Sequence, residues 1–344
     1  MQAEARAFDP FPLVLDNGAA LERLLETAGD AIVCSMAEPW ALVADRVPAP
    51  RHYVESGSVE LADLRARVAG VPAGASMVIG MGGGSAIDTA KYVAEATGLP
   101  LLQIPTIISV DAAFTAPYGY RDGSRVRYAG NLRPVEVICD PDLIRRAPVA
   151  LNRAGVGDLL SCHTGMFDWR LAVEGGRGEV PWNEDAAALG RRVLDEMEAA
   201  APEVHAVSEA GVRWLARVHR DVGAGCASYG ARFEEGSEHF LAYVFEWLTN
   251  EHRVHGELIS FCALAMSFVQ DNDPELVVRL VRGTGVDARP SHLGISRELF
   301  GRMFTELPGY VAREDLWPSV IETVSLTPDL ADRTFAHVWR ATGD

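Results

Sequence analysis

The segment VIGMGGGSAIDTAK, residues 78–91, says more about the fold of this chain than any other stretch. An apolar, β-branched run ends at Gly80, three glycines occupy positions 82–84, and a helical pattern begins at Ser85. A strand, a glycine turn and a helix in this order build an anion site, because residues without Cβ let the backbone approach a phosphate and the helix presents free N–H groups to it. The spacing is neither that of a Rossmann fingerprint nor that of a Walker P-loop.

Composition and charge narrow the class of protein. The chain has 344 residues, which is enough for two domains, and 48% hydrophobic with 23% charged residues is typical of a soluble globular protein. Its net charge of −17 argues against a nucleic-acid partner, because such a partner requires a basic surface. There is no run of about 18 apolar residues, and the N-terminus is acidic, so we expect neither a membrane span nor a signal peptide.

The cysteines indicate the cellular compartment. They are odd in number, scattered and without CxxC spacing, which favours buried reduced thiols over disulfides or a cysteine zinc site. We therefore predict a cytoplasmic protein.

The first half of the chain alternates between strand and helix patterns. Such alternation predicts a mostly parallel sheet that is covered on both faces. Alternating residues around Asp122 and Gly123, within 118–128, predict an antiparallel hairpin. The predicted strands are 11–15, 31–34, 53–56, 77–79, 101–104 and 135–139, and the predicted helices are 19–27, 39–45, 59–68 and the one that begins at Ser85.

The second half contains helical patterns with a period near 3.6 and no convincing strand. Gly175 and Pro202 are predicted to mark helix ends. We accordingly predict an α/β nucleotide-binding domain, Rossmann-like and covering residues 1–147, followed by an all-helical domain at 148–344. The predicted helices of the second half are 158–173, 183–200, 208–227, 238–250 and 257–269.

Three candidate metal ligands lie near predicted helix ends in the second half: Asp158, His239 and His255. One carboxylate and two imidazoles can hold a divalent ion with a position left open for substrate, and such an ion acts as a Lewis acid on an alcohol or carbonyl oxygen. Spacing alone leaves an alternative, in which Asp158 is a helix N-cap and the histidines are hydrogen-bonded members of a helical core.

Four segments together resemble the iron-containing alcohol dehydrogenase superfamily, and within it most closely the branch of glycerol-1-phosphate dehydrogenase and glycerol dehydrogenase. The resemblance runs from about residue 11 to about residue 268, with the segments in the family's order. It implies a dehydroquinate synthase-like fold, an α/β domain followed by a helical one. The segments are GMGGGSAIDTAK (80–91), IPTIISVDAAFTAP (104–117), RAPVALNRAGVGDLLS (146–161) with DWRLA (168–172), and GSEHF (236–240) with HG (255–256).

The resemblance also implies roles for individual residues and a cofactor, NAD or NADP. Asp158, His239 and His255 would hold one divalent metal, zinc or iron. Asp111 would orient a substrate hydroxyl or relay a proton, whereas without the family it reads as a turn residue. The residues implied for cofactor binding are Gly82, Gly83, Gly84 and Ser85 at the pyrophosphate, Asp88 and Lys91 nearby, and Thr106 and Ser109 along the nicotinamide end.

His252 has two interpretations of equal weight. If its segment is helical, it shares a face with His255. The resemblance implies a place over the nicotinamide or in proton relay, since related enzymes carry an extra histidine nearby. Otherwise it is a solvated histidine in a charged run. Asp168 and Trp169 belong to the family-like helix, and we assign them to packing and capping.

The chain departs from the family's pattern in three respects. Ser35 stands where the second strand often ends in an acidic residue that binds the adenosine ribose, which opens the site to NADP. A lysine that often follows the metal aspartate is replaced within 159–163, which weakens the case for a phosphorylated substrate unless Arg125, Arg127 or Arg170 substitutes. The adenine side is also shortened.

These observations favour a metal-dependent NAD(P) oxidoreductase acting on a small polyol or polyol phosphate. A 3-dehydroquinate synthase-like lyase, which uses NAD transiently, and a non-catalytic member of the same scaffold are the alternatives. Asp158 favours the dehydrogenase over the lyase, because the lyase typically has glutamate at that position. We expect a small-molecule substrate and, by analogy with the family, a homo-oligomer.

Overall fold

The computed structural model describes residues 11–123 and 125–344 of the chain. The chain divides into two compact units, Met1–Asn152 with Val212–Ser228, and Arg153–Gly211 with Tyr229–Asp344. The first unit therefore includes a helical stretch from the second half of the sequence. The prediction that the chain has no signal peptide concerns its N-terminus. The first ten residues there lie outside the part of the chain that the structure describes.

The first unit is built on a six-stranded sheet whose neighbouring strands are all parallel. The strand order is β1-β8-β5-β4-β2-β3, and β6 and β7 form a separate antiparallel hairpin. Both the parallel sheet and the hairpin at Asp122 and Gly123 are confirmed. The strands are β1 (Leu13–Leu15), β2 (Ala31–Ser35), β3 (His52–Glu55), β4 (Met77–Gly82), β5 (Leu101–Pro105), β6 (Tyr118–Asp122), β7 (Arg125–Ala129) and β8 (Glu136–Cys139).

Successive side chains of each strand point to opposite faces of the sheet, so both faces are apolar. Helices cover both of these faces. Val33 and Ile79 belong to one apolar cluster, whereas Ile32 and Val78 belong to the other. The helices of this unit are α1 (Ala19–Thr27), α2 (Ala37–Ala41), α3 (Leu61–Ala69), α4 (Gly84–Thr97), α5 (Pro141–Ile144) and α6 (Val149–Arg153), with most of α9 (Glu209–Tyr229).

The second unit contains helices only, since no strand follows β8 in residues 140–344, all of which are described. The predicted all-helical second half is confirmed. None of the helices that the structure describes has the length and apolarity needed to cross a bilayer. The helices of this unit are α7 (Gly157–Glu174), α8 (Glu184–His205), α10 (Ser237–Thr249), α11 (His255–Gln270), α12 (Pro274–Thr284), α13 (Pro290–Leu293), α14 (Arg297–Glu314) and α15 (Pro328–Thr342).

One of the predicted helix ends is wrong. Pro202 lies inside α8, which continues to His205, whereas Gly175 does follow the end of α7. A proline inside a helix removes one hydrogen bond and crowds the preceding turn. Its neighbours Ala201 and Val204 are buried, so packing of this last turn offsets the cost.

Candidate active site

The glycine turn lies at the carboxyl end of a central strand. β4 extends to Gly82 and α4 begins at Gly84, so the turn is tighter than the sequence predicts. Gly82 has a φ of 150°, and a Cβ there would lie 2.8 Å from the Cβ of Ala86. Gly83 occupies the N-cap position and has no side chain to accept from the first N–H groups of α4. Those groups are therefore available to an anionic ligand.

The segment after β5 packs against this turn. The amide of Thr106 donates to the carbonyl of Gly82 at 3.0 Å, and Thr106 and Ser109 are both buried. A Cβ on Gly84 would lie 3.2 Å from Val110 Cγ2. The structure thus brings two of the stretches implied for cofactor binding together, although they are about twenty residues apart in the sequence.

Lys91 is the only lysine in the sequence, and its side chain is completely buried. Its Nζ donates to the carbonyls of Ala112 at 2.6 Å and Pro117 at 2.8 Å, and to Thr115 Oγ1 at 3.2 Å. An ammonium group has three protons, and all three are used here within the protein. The contribution of Lys91 to a nucleotide site is therefore indirect: it ties α4 to the segment 112–117.

Two carboxylates, those of Asp88 and Asp111, interact with the ammonium group of Lys91. Asp88 Oδ1 is 3.8 Å from Lys91 Nζ. Burial raises the pKa of Asp88 to about 6, while the charge of Lys91, the Gly119 amide and Arg121 act in the opposite direction. Asp111 precedes a short 3-10 turn, and its carbonyl accepts from the amide of Phe114 at 2.7 Å, so its backbone has the turn geometry that the sequence also allowed.

Asp158, His239 and His255 come together in the second unit. One possible ligand atom from each lies within 4.8 Å of the others. Asp158 Oδ1 is 3.1 Å from His255 Nε2 and 3.9 Å from His239 Nε2. Asp158 and His239 are buried, whereas the side chain of His255 is 33% exposed. Two of the three candidate ligands are thus buried, and solvent can reach the cluster at His255.

Gly157 permits this convergence. A Cβ on Gly157 would lie 2.3 Å from the carbonyl oxygen of Gly256. The first turns of α7 and α11 therefore touch backbone to backbone, and the residues beside these glycines, Asp158 and His255, face each other.

The surroundings of His239 are strongly negative. Burial disfavours its charged form, but the hydrogen bond to Glu238 and the charges of Glu235 and Asp158 outweigh burial and raise the pKa of His239 to about 10. The same carboxylates favour positive charge at this position, as a proton on the imidazole or as a metal ion that replaces it. One carboxylate oxygen and two imidazole nitrogens are the ligands that zinc and ferrous iron accept, so the donor set fits a divalent ion.

Asp168 binds backbone amides next to this cluster. Its carboxylate accepts from the amide of Ser237 at 2.7 Å and from the amide of Val320 at 2.8 Å. Trp169 is buried and donates to the carbonyl of Val180 at 2.9 Å. These contacts agree with the packing and capping roles expected for both residues.

His252 does not share a helical face with His255. Residues 251–254 are irregular and α11 begins at His255. His252 Nδ1 instead lies 3.5 Å from Glu246 Oε1, and the side chain is 40% exposed.

Ser35 and Arg170 both make contacts within the protein. Ser35 is completely buried, and its Oγ donates to the carbonyl of Met81 at 2.6 Å, so this hydroxyl does not face a ribose. Arg170 is paired with Glu174 at 3.3 Å and its guanidinium lies over the ring of Trp182. An exposed pair of this kind contributes little to stability, so Arg170 can exchange its partner for an anion at small cost.

Sequence reasoning missed the role of one residue in this region. Glu238 is completely buried and its Oε1 lies 2.8 Å from His239 Nδ1. The available signal was a glutamate immediately before a candidate ligand in GSEHF, which is weak because adjacent helical residues do not usually face each other.

Comparison with known proteins identifies the family. The family model for iron-containing alcohol dehydrogenase matches residues 28–148. The chain is 32% identical to glycerol-1-phosphate dehydrogenase [NAD(P)+] of Hyperthermus butylicus over 317 residues, which cover 86% of this chain and 88% of that one. It is 27% identical to the enzyme of the same name from Methanococcoides burtonii, over 81% of this chain and 76% of the other.

Solved structures share the fold. A probable glycerol dehydrogenase from Sinorhizobium meliloti 1021 superposes with a TM-score of 0.74 at 23% identity, covering 98% of this chain and 99% of that one. Glycerol dehydrogenase from Schizosaccharomyces pombe superposes with a TM-score of 0.73 at 18% identity, covering 97% and 91%.

Proposed function

This chain belongs to the iron-containing alcohol dehydrogenase family and is an NAD(P)-linked oxidoreductase, and we propose that it interconverts glycerol 1-phosphate, or a closely similar polyol, and the corresponding ketone. The observation that carries the proposal is the convergence of Asp158, His239 and His255, in a chain that is 32% identical to a glycerol-1-phosphate dehydrogenase over most of its length.

The dinucleotide would bind at the glycine turn. The amides at the start of α4, from Gly83 to Ser85, would donate to the pyrophosphate, and the positive end of the helix would stabilise its charge. Gly82 lets the backbone turn without a side chain in the way. Thr106 and Ser109 would lie along the nicotinamide end, and Asp88 with Lys91 would hold the surrounding segments. Since Ser35 is not a carboxylate, we include NADP with NAD as a cofactor.

Asp158, His239 and His255 would hold one divalent ion, zinc or iron. Such an ion, when bound, supplies a Lewis acid for the substrate oxygen. The partial exposure of His255 leaves room for substrate at that edge of the cluster. The buried side of the cluster excludes water from the other ligands.

Two further residues would act on protons. Asp111 would orient a second substrate hydroxyl or accept its proton. His252 would exchange protons with solvent, because it is partly exposed and Glu246 Oε1, at 3.5 Å from Nδ1, can orient its ring. A homo-oligomer in the cytoplasm and a small-molecule substrate complete the proposal.

The test is metal analysis of the purified protein together with a screen of NADH and NADPH oxidation. The substrates are dihydroxyacetone, dihydroxyacetone phosphate and glyceraldehyde. Stoichiometric zinc or iron with turnover of dihydroxyacetone phosphate supports the proposal, and a preference for dihydroxyacetone would replace the phosphorylated substrate by glycerol. Bound metal without net consumption of NAD(P)H would contradict the dehydrogenase and favour a lyase.

A further inference from the structure

We propose that Glu238 is a positioning residue for the metal centre: its carboxylate fixes the ring of His239 and selects the tautomer that can bind a divalent ion. This inference rests on the proposed metal site, which assigns His239 but says nothing about what orients it.

The carboxylate makes two short contacts through one oxygen. Glu238 Oε1 accepts from the amide of Gly236 at 2.7 Å and lies 2.8 Å from His239 Nδ1. Glu238 is completely buried and His239 is nearly so. Because neither group has water to exchange with, the ring is held in one orientation.

The contact decides which ring nitrogen faces the cluster. A carboxylate accepts a proton, so Nδ1 carries the hydrogen and Nε2 keeps its lone pair in the neutral imidazole. It is Nε2 that lies 3.9 Å from Asp158 Oδ1, on the side where His255 also presents Nε2. A carboxylate behind a ligating histidine also raises the basicity of that ligand.

The backbone just before Glu238 and His239 is fixed by hydrogen bonds to two carboxylates. Asp168 accepts from the amide of Ser237 at 2.7 Å, and a Cβ on Gly236 would lie 2.7 Å from Asp168 Oδ2. Two carboxylates thus bind two successive amides at the start of α10. Asp168 contacts only the backbone here, whereas Glu238 Oε1 binds both an amide and the imidazole of His239.

The charges of the cluster support the same role. Two carboxylates, Asp158 and Glu238, are nearly or completely buried beside the imidazoles, so positive charge at the cluster offsets part of the cost of burying them. A divalent ion held by Asp158, His239 and His255 neutralises both. A neutral partner at position 238 would still hold the ring but would weaken the attraction for the ion.

The experiment measures zinc affinity by competition with a chromophoric chelator, for the full chain and three variants. Glu238→Ala removes both contacts, whereas Glu238→Gln keeps an oxygen that can accept from both donors and removes the charge. The control is Glu235→Gln, which also removes a negative charge that acts on His239 but leaves the ring contact intact, because Glu235 accepts from the hydroxyl of Tyr243 at 2.8 Å. Nitrogen-15 NMR of histidine in the zinc-loaded wild type supplies an independent readout.

We expect the zinc affinity to fall about 10- to 100-fold in Glu238→Ala and about 10-fold in Glu238→Gln, with Glu235→Gln within about twofold of the wild type. The NMR spectrum should show a slowly exchanging Nδ1–H on His239. Wild-type affinity in both Glu238 variants, an equal loss in Glu235→Gln, or a proton on Nε2 would overturn the inference. If Glu238→Ala does not fold, Glu238→Gln and the NMR spectrum decide. A wild-type chain that binds neither zinc nor ferrous iron would overturn the proposed function itself.

Discussion

Asp158 and His255 approach each other to 3.1 Å, from Oδ1 to Nε2, although 97 positions separate them in the sequence. The approach depends on the helix starts that carry them, because Gly157 meets the backbone of Gly256 where any Cβ would collide. His239 reaches the same carboxylate oxygen from α10. The close packing of the two helix starts thus sets the geometry of the cluster, and the three side chains supply the candidate ligand atoms.

Replacing His255 by alanine should remove the metal and abolish turnover while leaving the fold intact. The side chain is one-third exposed, so its loss leaves no enclosed cavity, and two remaining ligands bind a divalent ion weakly. We expect metal content below about a tenth of the wild-type value and a reduction in kcat of at least about 1,000-fold. Metal analysis, circular dichroism and steady-state kinetics measure these quantities.

The control for this variant is His205→Ala. His205 is exposed at the end of α8 and does not belong to the cluster. It should keep its metal and its activity. Retention of both metal and activity by His255→Ala would remove His255 from the metal site.

Replacing Gly82 by alanine should abolish nucleotide binding. The φ of 150° is unfavourable for alanine, and the new Cβ would lie 2.8 Å from that of Ala86 in the first turn of α4. We expect a loss of about 1–3 kcal/mol in the free energy of unfolding and no detectable NADH binding by fluorescence. Gly98→Ala is the matched control, because Gly98 has a φ of 69° with open space around it, so that variant should lose stability but still bind NADH.

Much of the fold could be predicted because it depends on local patterns. The period of apolar residues predicts α1 with the bounds that the structure has, and Asp122 with Gly123 predicts the hairpin. Pro202 is one exception, since the packing of Ala201 and Val204 overrides a local helix-breaking preference. Packing of this kind is not visible in a single sequence.

The site could be predicted only in part. The resemblance implied the three residues of the metal cluster, and the structure brings them together. The partners of Lys91 lie 21 to 26 residues away and are mostly backbone carbonyls, which leave no mark in the sequence. Glu238 precedes its partner directly, a spacing that normally separates two side chains on a helix.

Replacing Lys91 by methionine should loosen the segment 112–117 without removing any cofactor contact. The variant removes the donor from the buried carbonyl of Ala112 and from the partly buried carbonyl of Pro117. A buried acceptor that loses its partner costs about 1–3 kcal/mol and a partly buried one less, so we expect the free energy of unfolding to fall by roughly 2–3 kcal/mol. The Michaelis constant for the substrate should rise more than that for NADH, because Asp111 adjoins the loosened segment.

Tyr118→Phe is the control for this variant. It removes one hydrogen bond, from the Tyr118 hydroxyl to Glu95 at 2.7 Å, which also joins α4 to the following chain. It should cost about 1 kcal/mol and leave both Michaelis constants unchanged. An equal rise of both constants in Lys91→Met would indicate that Lys91 contacts the cofactor after all.

The pH dependence of stability should reveal the burial of Asp88. Its pKa is raised from 3.8 to about 6, chiefly by burial, so the folded chain holds this proton more tightly than the unfolded chain does. Between these two pH values the unfolded chain ionises first, and the free energy of unfolding falls as pH rises, by up to about 3 kcal/mol above pH 6. Asp88→Asn cannot ionise, so the difference in unfolding free energy between wild type and variant should move by about 2 kcal/mol, in favour of the variant, between pH 4 and pH 7. Urea titrations of both proteins across this range measure it. Parallel curves, or a wild type that gains stability over the variant as pH rises, would show that Asp88 is ionised at no cost in the folded chain.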